Sequence, residues 1–134
     1  MQVERMVGVI DRFDWLDPLA GAVRGLVHDA YQAGGATGRR VKNFLYGTWL
    51  GHPLHPVLTD LPIGAWSAAA ALDLLENAGR RELGPGADAA VTLGVAGGLA
   101  AALAGLTDWQ HLRTPRRSRL GLLHGLLNVT ATTL

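Results

Sequence analysis

The stretch Gly51-His52-Pro53-Leu54-His55-Pro56-Val57-Leu58-Thr59-Asp60-Leu61-Pro62-Ile63-Gly64 is where this chain changes character. Before it the sequence is polar to amphipathic, and after it come long segments of small and hydrophobic residues. Proline fixes φ, removes a backbone donor and pushes the preceding residue toward extended conformations. His52 and His55 each precede a proline, so both are expected on an extended or turn-like approach. Pro56 suits the first position of a helix. The two imidazoles are then held on a stiff lead-in and not on a mobile loop.

Downstream, one apolar segment runs from about Val57 to Leu75 and a second from about Ala87 to Leu106. Each approaches the roughly 20 residues with which a helix crosses a hydrocarbon core of about 30 Å. Between them, Glu76 to Gly86 carries Asn77, Gly79, Arg80, Arg81, Glu82 and Gly84-Pro85-Gly86, and is expected to interrupt the helix. Gly94-xxx-Gly98 and Ala101-xxx-Gly105 place small residues where helix backbones in lipid can approach closely. A buried alanine-rich hairpin of a soluble bundle is the alternative, kept open by Asp60 and Asp73; the apolar lengths favour the membrane. The polar, basic stretch from Thr107 to Arg119 is expected to be a loop. A third apolar segment, Leu120 to Leu134, reaches about 22 Å as a helix, short of a crossing.

Upstream, Val3, Met6, Val7, Ile10 and Phe13 recur at helical spacing, with Glu4, Arg5, Asp11 and Arg12 between them. Glu4, Asp11 and Asp14 break up the apolar core that a signal peptide would need. Asp17-Pro18 predicts a helix start with aspartate as N-cap, and the following helix would carry Leu19, Val23, Leu26, Val27 and Ala30 on one face. These helices are either a soluble-type hairpin or a pair lying on a membrane surface. Gly34-Gly35-Ala36-Thr37-Gly38 is expected to be a linker. It precedes Arg39, Arg40, Lys42, Phe44, Leu45, Tyr46 and Trp49, a basic and aromatic mixture suited to headgroup depth.

Composition removes several function classes. The 134 residues fit one domain, are 49% hydrophobic and 17% charged, against roughly 25% charged for an average soluble domain. A net charge of +1 argues against a nucleic-acid partner. The absence of cysteine excludes disulfides, thiolate nucleophiles and an iron–sulfur cluster held by this chain. No serine or threonine stands in a nucleophile elbow, so independent catalysis is not expected.

The expected fold is all-α: a helical membrane protein with amphipathic interfacial helices over 1–48 and a transmembrane domain over 49–134. That domain would comprise three transmembrane-type helices, and the natural polypeptide is expected to continue past Leu134. Arg39, Arg40, Lys42, Arg113, Arg116, Arg117 and Arg119 would then share one side, against Arg80 and Arg81 on the other. The positive-inside rule makes the arginine-rich side cytoplasmic, with the N-terminus there, in an inner membrane. His52, His55, His111 and His124 all fall near that face, joined by Asp60, Asp108 and Asn128 as supporting residues. Histidine is the commonest metal ligand and a standard axial ligand of haem, so haem b or another metal is the expected cofactor. His55 and His124 are the expected central pair, pointing inward, with Asp60 orienting an imidazole. A proton relay and a purely structural role remain as alternatives, since no HExxH pattern occurs. His28 stands outside the cluster, at the surface.

Trp49-Leu50-Gly51-His52-Pro53-Leu54-His55-Pro56-Val57-Leu58-Thr59-Asp60-Leu61-Pro62-Ile63-Gly64-Ala65-Trp66, with Leu72-Asp73-Leu74-Leu75, resembles the core of a bacterial predicted-membrane-protein family of unknown function, DUF2231. Gly105-Leu106-Thr107-Asp108-Trp109 and Gly121-Leu122-Leu123-His124-Gly125-Leu126-Leu127-Asn128 resemble its later motifs. The resemblance implies a four-helix membrane domain, found alone or in front of a Rieske iron–sulfur domain, especially in actinobacteria. It assigns no catalytic residue. Two functions follow as expectations: a membrane module holding haem or metal for electron transfer, or a non-catalytic anchor or assembly domain for a redox partner such as a Rieske protein. Membrane lipid and a second copy of the chain are the other expected partners.

Overall fold

The computed structural model describes residues 8–80 and 82–133. Val3, Glu4, Arg5, Met6, Val7, Arg81 and Leu134, used in the expectations above, lie outside the described residues. Among the described residues every regular element is helical. After a 3₁₀ turn at Asp14–Leu16 come α1 (Asp17–Ala33), α2 (Gly35–Tyr46), α3 (His55–Asn77), α4 (Gly84–Trp109) and α5 (Pro115–Thr133). The helices sort into two compact units: the chain up to Phe44 together with the chain from Leu106 on, and Leu45–Gly105.

In the Leu45–Gly105 unit, α3 and α4 run antiparallel and are closely matched. The His55 ring lies against Gly105, Leu61 and Pro62 against Gly97, Trp66 against Gly94 and Gly98, and Leu72 against Gly86. A Cβ at Gly97 would come within 2.9 Å of Leu61, and one at Gly94 would overlap the Trp66 indole. The small residues of the second apolar segment are therefore sockets for large side chains of the first, the close approach available to glycine alone. Pro62, inside α3, is buried at this seam. It forfeits one intrahelical hydrogen bond. The turn between the helices is shorter than expected: Gly84-Pro85-Gly86 forms the first turn of α4, proline being tolerated there because early amides lack helical partners.

In the other unit, α1 packs on α5 and on the 3₁₀ turn. Leu16 is fully buried and Ala20 nearly so, while Val23, Arg24, Val27 and Tyr31 are half-buried. Of the expected apolar face, Leu19, Leu26 and Ala30 are exposed; Leu26 is 71% exposed. The expected N-cap is also corrected. Asp17 is the first helical residue, and its carboxylate is engaged by Arg119 on α5 instead of capping α1. Gly34–Gly38 is not a linker. Gly35 turns the chain at φ +54°, and α2 begins there, with buried Gly38 lying directly on the Tyr31 carbonyl where a Cβ would overlap backbone. The expected Thr107–Arg119 loop shrinks to residues 110–114, because α4 continues through Trp109 and α5 opens at Pro115.

Of the three expected crossing helices, one is long and apolar enough by length and composition among the described residues: Gly84–Trp109, 26 residues, 22% of its apolar window buried. At 1.5 Å per residue α3 and α5 also reach about 34 and about 28 Å. Their composition holds them back: α3 carries Asp60, Asp73 and Glu76, and α5 opens with Arg116, Arg117 and Arg119.

Candidate functional site

The turn that leads into α3 is built by glycine. Gly47 (φ +78°) and Gly51 (φ +80°) adopt left-handed conformations, and the Leu50 and Gly51 amides donate to the Gly47 carbonyl. His52 follows on this turn, exposed, with Nδ1 3.0 Å from the Pro53 carbonyl. His55 opens α3, half-buried, and its Nδ1 lies 2.7 Å from the Ala101 carbonyl on α4. A carbonyl can only accept, so Nδ1 carries the proton and the ring's lone pair is on Nε2. The acceptor that orients this imidazole is Ala101; Asp60, expected in that role, is exposed.

The remaining predicted residues belong to the other unit. His111 sits exposed on the turn after α4, its Nδ1 3.0 Å from the Thr107 carbonyl one helical turn back. Asp108 is half-buried. His124 is exposed on α5, not directed inward as expected, because it lies nine residues past Pro115 on a face the unit leaves uncovered. Asn128 joins it, with Nδ2 donating to the His124 carbonyl at 2.8 Å and 3.3 Å from each ring nitrogen. Among the described residues no three His, Cys, Asp or Glu side chains are grouped to hold a metal. His28 is exposed, as expected.

The densest polar chemistry lies elsewhere in this unit, around arginines read from the sequence only as topological charges. Arg119, 8% exposed, forks onto Asp17 (Nε–Oδ1 2.7 Å, Nη2–Oδ2 2.6 Å), and its Nη1 donates to the carbonyls of Asp11 and Ile10 at 3.1 and 3.4 Å. Arg116 forks onto Asp11 at 2.7 and 2.6 Å. Such bidentate pairs combine charge with fixed geometry. The hydrogen bonds from Arg119 and Arg116 hold the Asp17 and Asp11 carboxyls below the ordinary aspartate range.

A third arginine, Arg24 on α1, reaches back to the junction of α4 and α5. Its Nη2 donates to Ser118 Oγ at 2.6 Å and to the Leu112 carbonyl at 3.0 Å, and its guanidinium stands 5.3 Å from the centre of the Trp109 ring. Trp109 Nε1 donates to the Ser118 carbonyl at 2.9 Å, and Gly121 admits the edge of the indole. Tyr31 completes the set, its hydroxyl 2.6 Å from Oγ1 of the fully buried Thr107. None of Arg24, Tyr31, Ser118 or Arg119 was singled out as a site residue. The available signal was the pairing of Asp11 and Asp17 near the start of a helix with an arginine run elsewhere, which needs the fold to connect.

Chemically, this assembly joins helices with charge-assisted hydrogen bonds, while in the Leu45–Gly105 unit the Ala101 carbonyl orients the His55 ring. No curated protein and no solved structure matches the chain. Residues 51–134 match the family described as Predicted membrane protein (DUF2231), so the match spans α3, α4 and α5 and includes both histidines of the opening motif. The chain belongs to the DUF2231 family of predicted membrane proteins.

Proposed function

We propose that the chain is a non-catalytic membrane anchor or assembly module. The observation that carries this reading is α4: an apolar helix of 26 residues with little of its surface covered by the chain. The core helix of a soluble protein would be mostly covered, whereas uncovered apolar surface of this extent marks lipid or partner contact. Ile63 and Leu74 on α3 and Leu127 and Val129 on α5 are exposed as well, so α3 and α5 accompany α4 into the bilayer. Their charged residues then lie near the helix ends or on protein-facing surface, where the cost of ionised groups in lipid is lowest. The N-terminal helices add Trp15, Leu19 and Leu26, exposed apolar side chains suited to a lipid surface. By the arginine asymmetry the arginine-rich side is cytoplasmic, and the module presents a membrane-bound redox protein such as a Rieske protein there. Carbonate extraction of membranes tests the anchor: the chain should stay in the pellet, and its release into the soluble fraction overturns the reading.

One observation favours a second reading, a haem b or metal site serving electron transfer. A ligating imidazole usually donates its other ring nitrogen to a carbonyl or carboxylate, which fixes tautomer and orientation. His55 has that arrangement, Nδ1 to the Ala101 carbonyl. His52, His111 and His124 are the remaining ligands this reading draws on. Haem supplementation of the purified chain tests it: a Soret band sensitive to His55→Ala supports it. Absence of the band leaves His55 as a bolt between helices.

A further inference from the structure

We infer that the start of α5 binds the phosphate of an anionic lipid headgroup, through Arg117 with Arg113 beside it. This inference rests on the membrane reading above and adds a ligand to it. Asp11, Thr114, Pro115, Arg116, Arg117 and Arg119 line an open cleft of about 520 Å³. Its three arginines are not equivalent. Arg116 is forked onto Asp11 and Arg119 onto Asp17, so those charges are spent in pairs. Arg117 is exposed and forms no ion pair or hydrogen bond among the described residues. Arg113, two residues before Pro115, is exposed and equally uncommitted among the described residues.

The carboxylate in the cleft, Asp11, is already neutralised by Arg116. Two cations remain beside the first turn of a 19-residue helix, whose dipole adds positive potential at that end. An anion is the ligand this arrangement attracts, and phosphate matches the planar donor fork of arginine. Depth selects the source of the phosphate. Leu120, Leu122 and Leu123 follow within one to two turns of Arg117, with Leu120 exposed. A helix that enters the bilayer at Leu120 therefore sets Arg113 and Arg117 at headgroup level, where juxtamembrane cations select anionic lipid.

The test compares the wild-type chain with Arg113→Gln, Arg117→Gln and the double variant. Each is reconstituted into phosphatidylcholine vesicles with and without phosphatidylglycerol, and retained lipid is read by native mass spectrometry. The wild type should retain phosphatidylglycerol in excess, each substitution should lower that excess roughly fivefold, and inorganic phosphate should not displace it. Equal retention of the two lipids, an excess unchanged in the double variant, or displacement by inorganic phosphate would each overturn the inference. Carbonate-resistant insertion into phosphatidylcholine alone is scored separately. Failure there removes the anchor reading, whereas loss of lipid preference with insertion intact removes this inference alone.

Discussion

Replacing Gly105 with alanine asks whether His55 pins α3 to α4. In a helix interior this substitution ordinarily stabilises by about 1 kcal/mol, because alanine loses less backbone entropy. Here the new Cβ would stand 2.8 Å from Nδ1 and 2.9 Å from Cε1 of His55, too close for the ring to stay where it is. Moving the ring breaks its 2.7 Å hydrogen bond to the Ala101 carbonyl. Such a bond contributes about 0.5–1.5 kcal/mol net in water and nearer 0.6 kcal/mol between helices in lipid. The opposing effects should leave Gly105→Ala within about 0.5 kcal/mol of the wild type. His55→Ala should itself cost about 1–2 kcal/mol. With it in place nothing remains to be displaced, and Gly105→Ala should then stabilise by about 1 kcal/mol. The four proteins of this double-mutant cycle can be compared by equilibrium unfolding in mixed micelles. Equal stabilisation by Gly105→Ala in both backgrounds would show that the imidazole does not occupy the space beside Gly105, and the pin would have to be abandoned.

Gly94→Leu should cost about 1–3 kcal/mol by colliding with the Trp66 indole. Gly64→Leu, directed into open space on the partner helix α3, should instead stabilise by about 0.5–1 kcal/mol. Thr107→Val should destabilise by about 1–3 kcal/mol, since it leaves the Tyr31 hydroxyl without its 2.6 Å partner. In that background Tyr31→Phe should recover part of the loss in the same thermal melt. The Asp11 and Asp17 carboxyls are lowered in the folded chain, so their stabilisation is complete above the ordinary value of 3.8 and disappears as pH falls through the lower folded values. Amide protection around residues 8–20, taken relative to intrinsic exchange at each pH, should therefore hold down to about pH 4 and fall below it. Asp17→Asn should show the faster exchange at neutral pH.

What the sequence made legible was periodicity and breakage. Apolar runs located α3 and α4 to within a few residues, because long uniform segments flanked by Gly, Pro and charge have few alternative readings, while α5 starts five residues earlier than its apolar run. The errors cluster where glycine or aspartate serves a tertiary purpose that resembles a local signal. Gly34–Gly38 has the composition of a linker, but Gly38 is there so that α2 can touch the Tyr31 carbonyl. Asp17 before Pro18 has the form of an N-cap, but Arg119, distant in sequence, claims the carboxylate. Of the proposed site, His-Pro signals an extended or turn-like lead-in, which holds for His52; His55 is instead the first residue of α3, and the Ala101 carbonyl that orients its ring was not legible. A backbone carbonyl carries no side-chain signature, and it becomes available only once α4 has docked.

The outward face of α1 links the fold to the proposed role. Its half-buried positions include Arg24 and Tyr31, and its exposed ones include Leu19 and Leu26. Helical periodicity identifies two faces, but assigning the apolar one inward presumes water outside. Arg24 and Tyr31 find their partners at Ser118, Leu112 and Thr107, within the span matched to the family. Asp11 and Asp17 likewise reach Arg116 and Arg119 there. The segment preceding the matched span is therefore tied to it by polar bonds along one side, leaving Trp15, Leu19 and Leu26 uncovered on the other. In water that arrangement would spend its hydrogen bonds inward while exposing a large apolar stripe. On the anchor proposed above, the same arrangement rests that stripe on lipid.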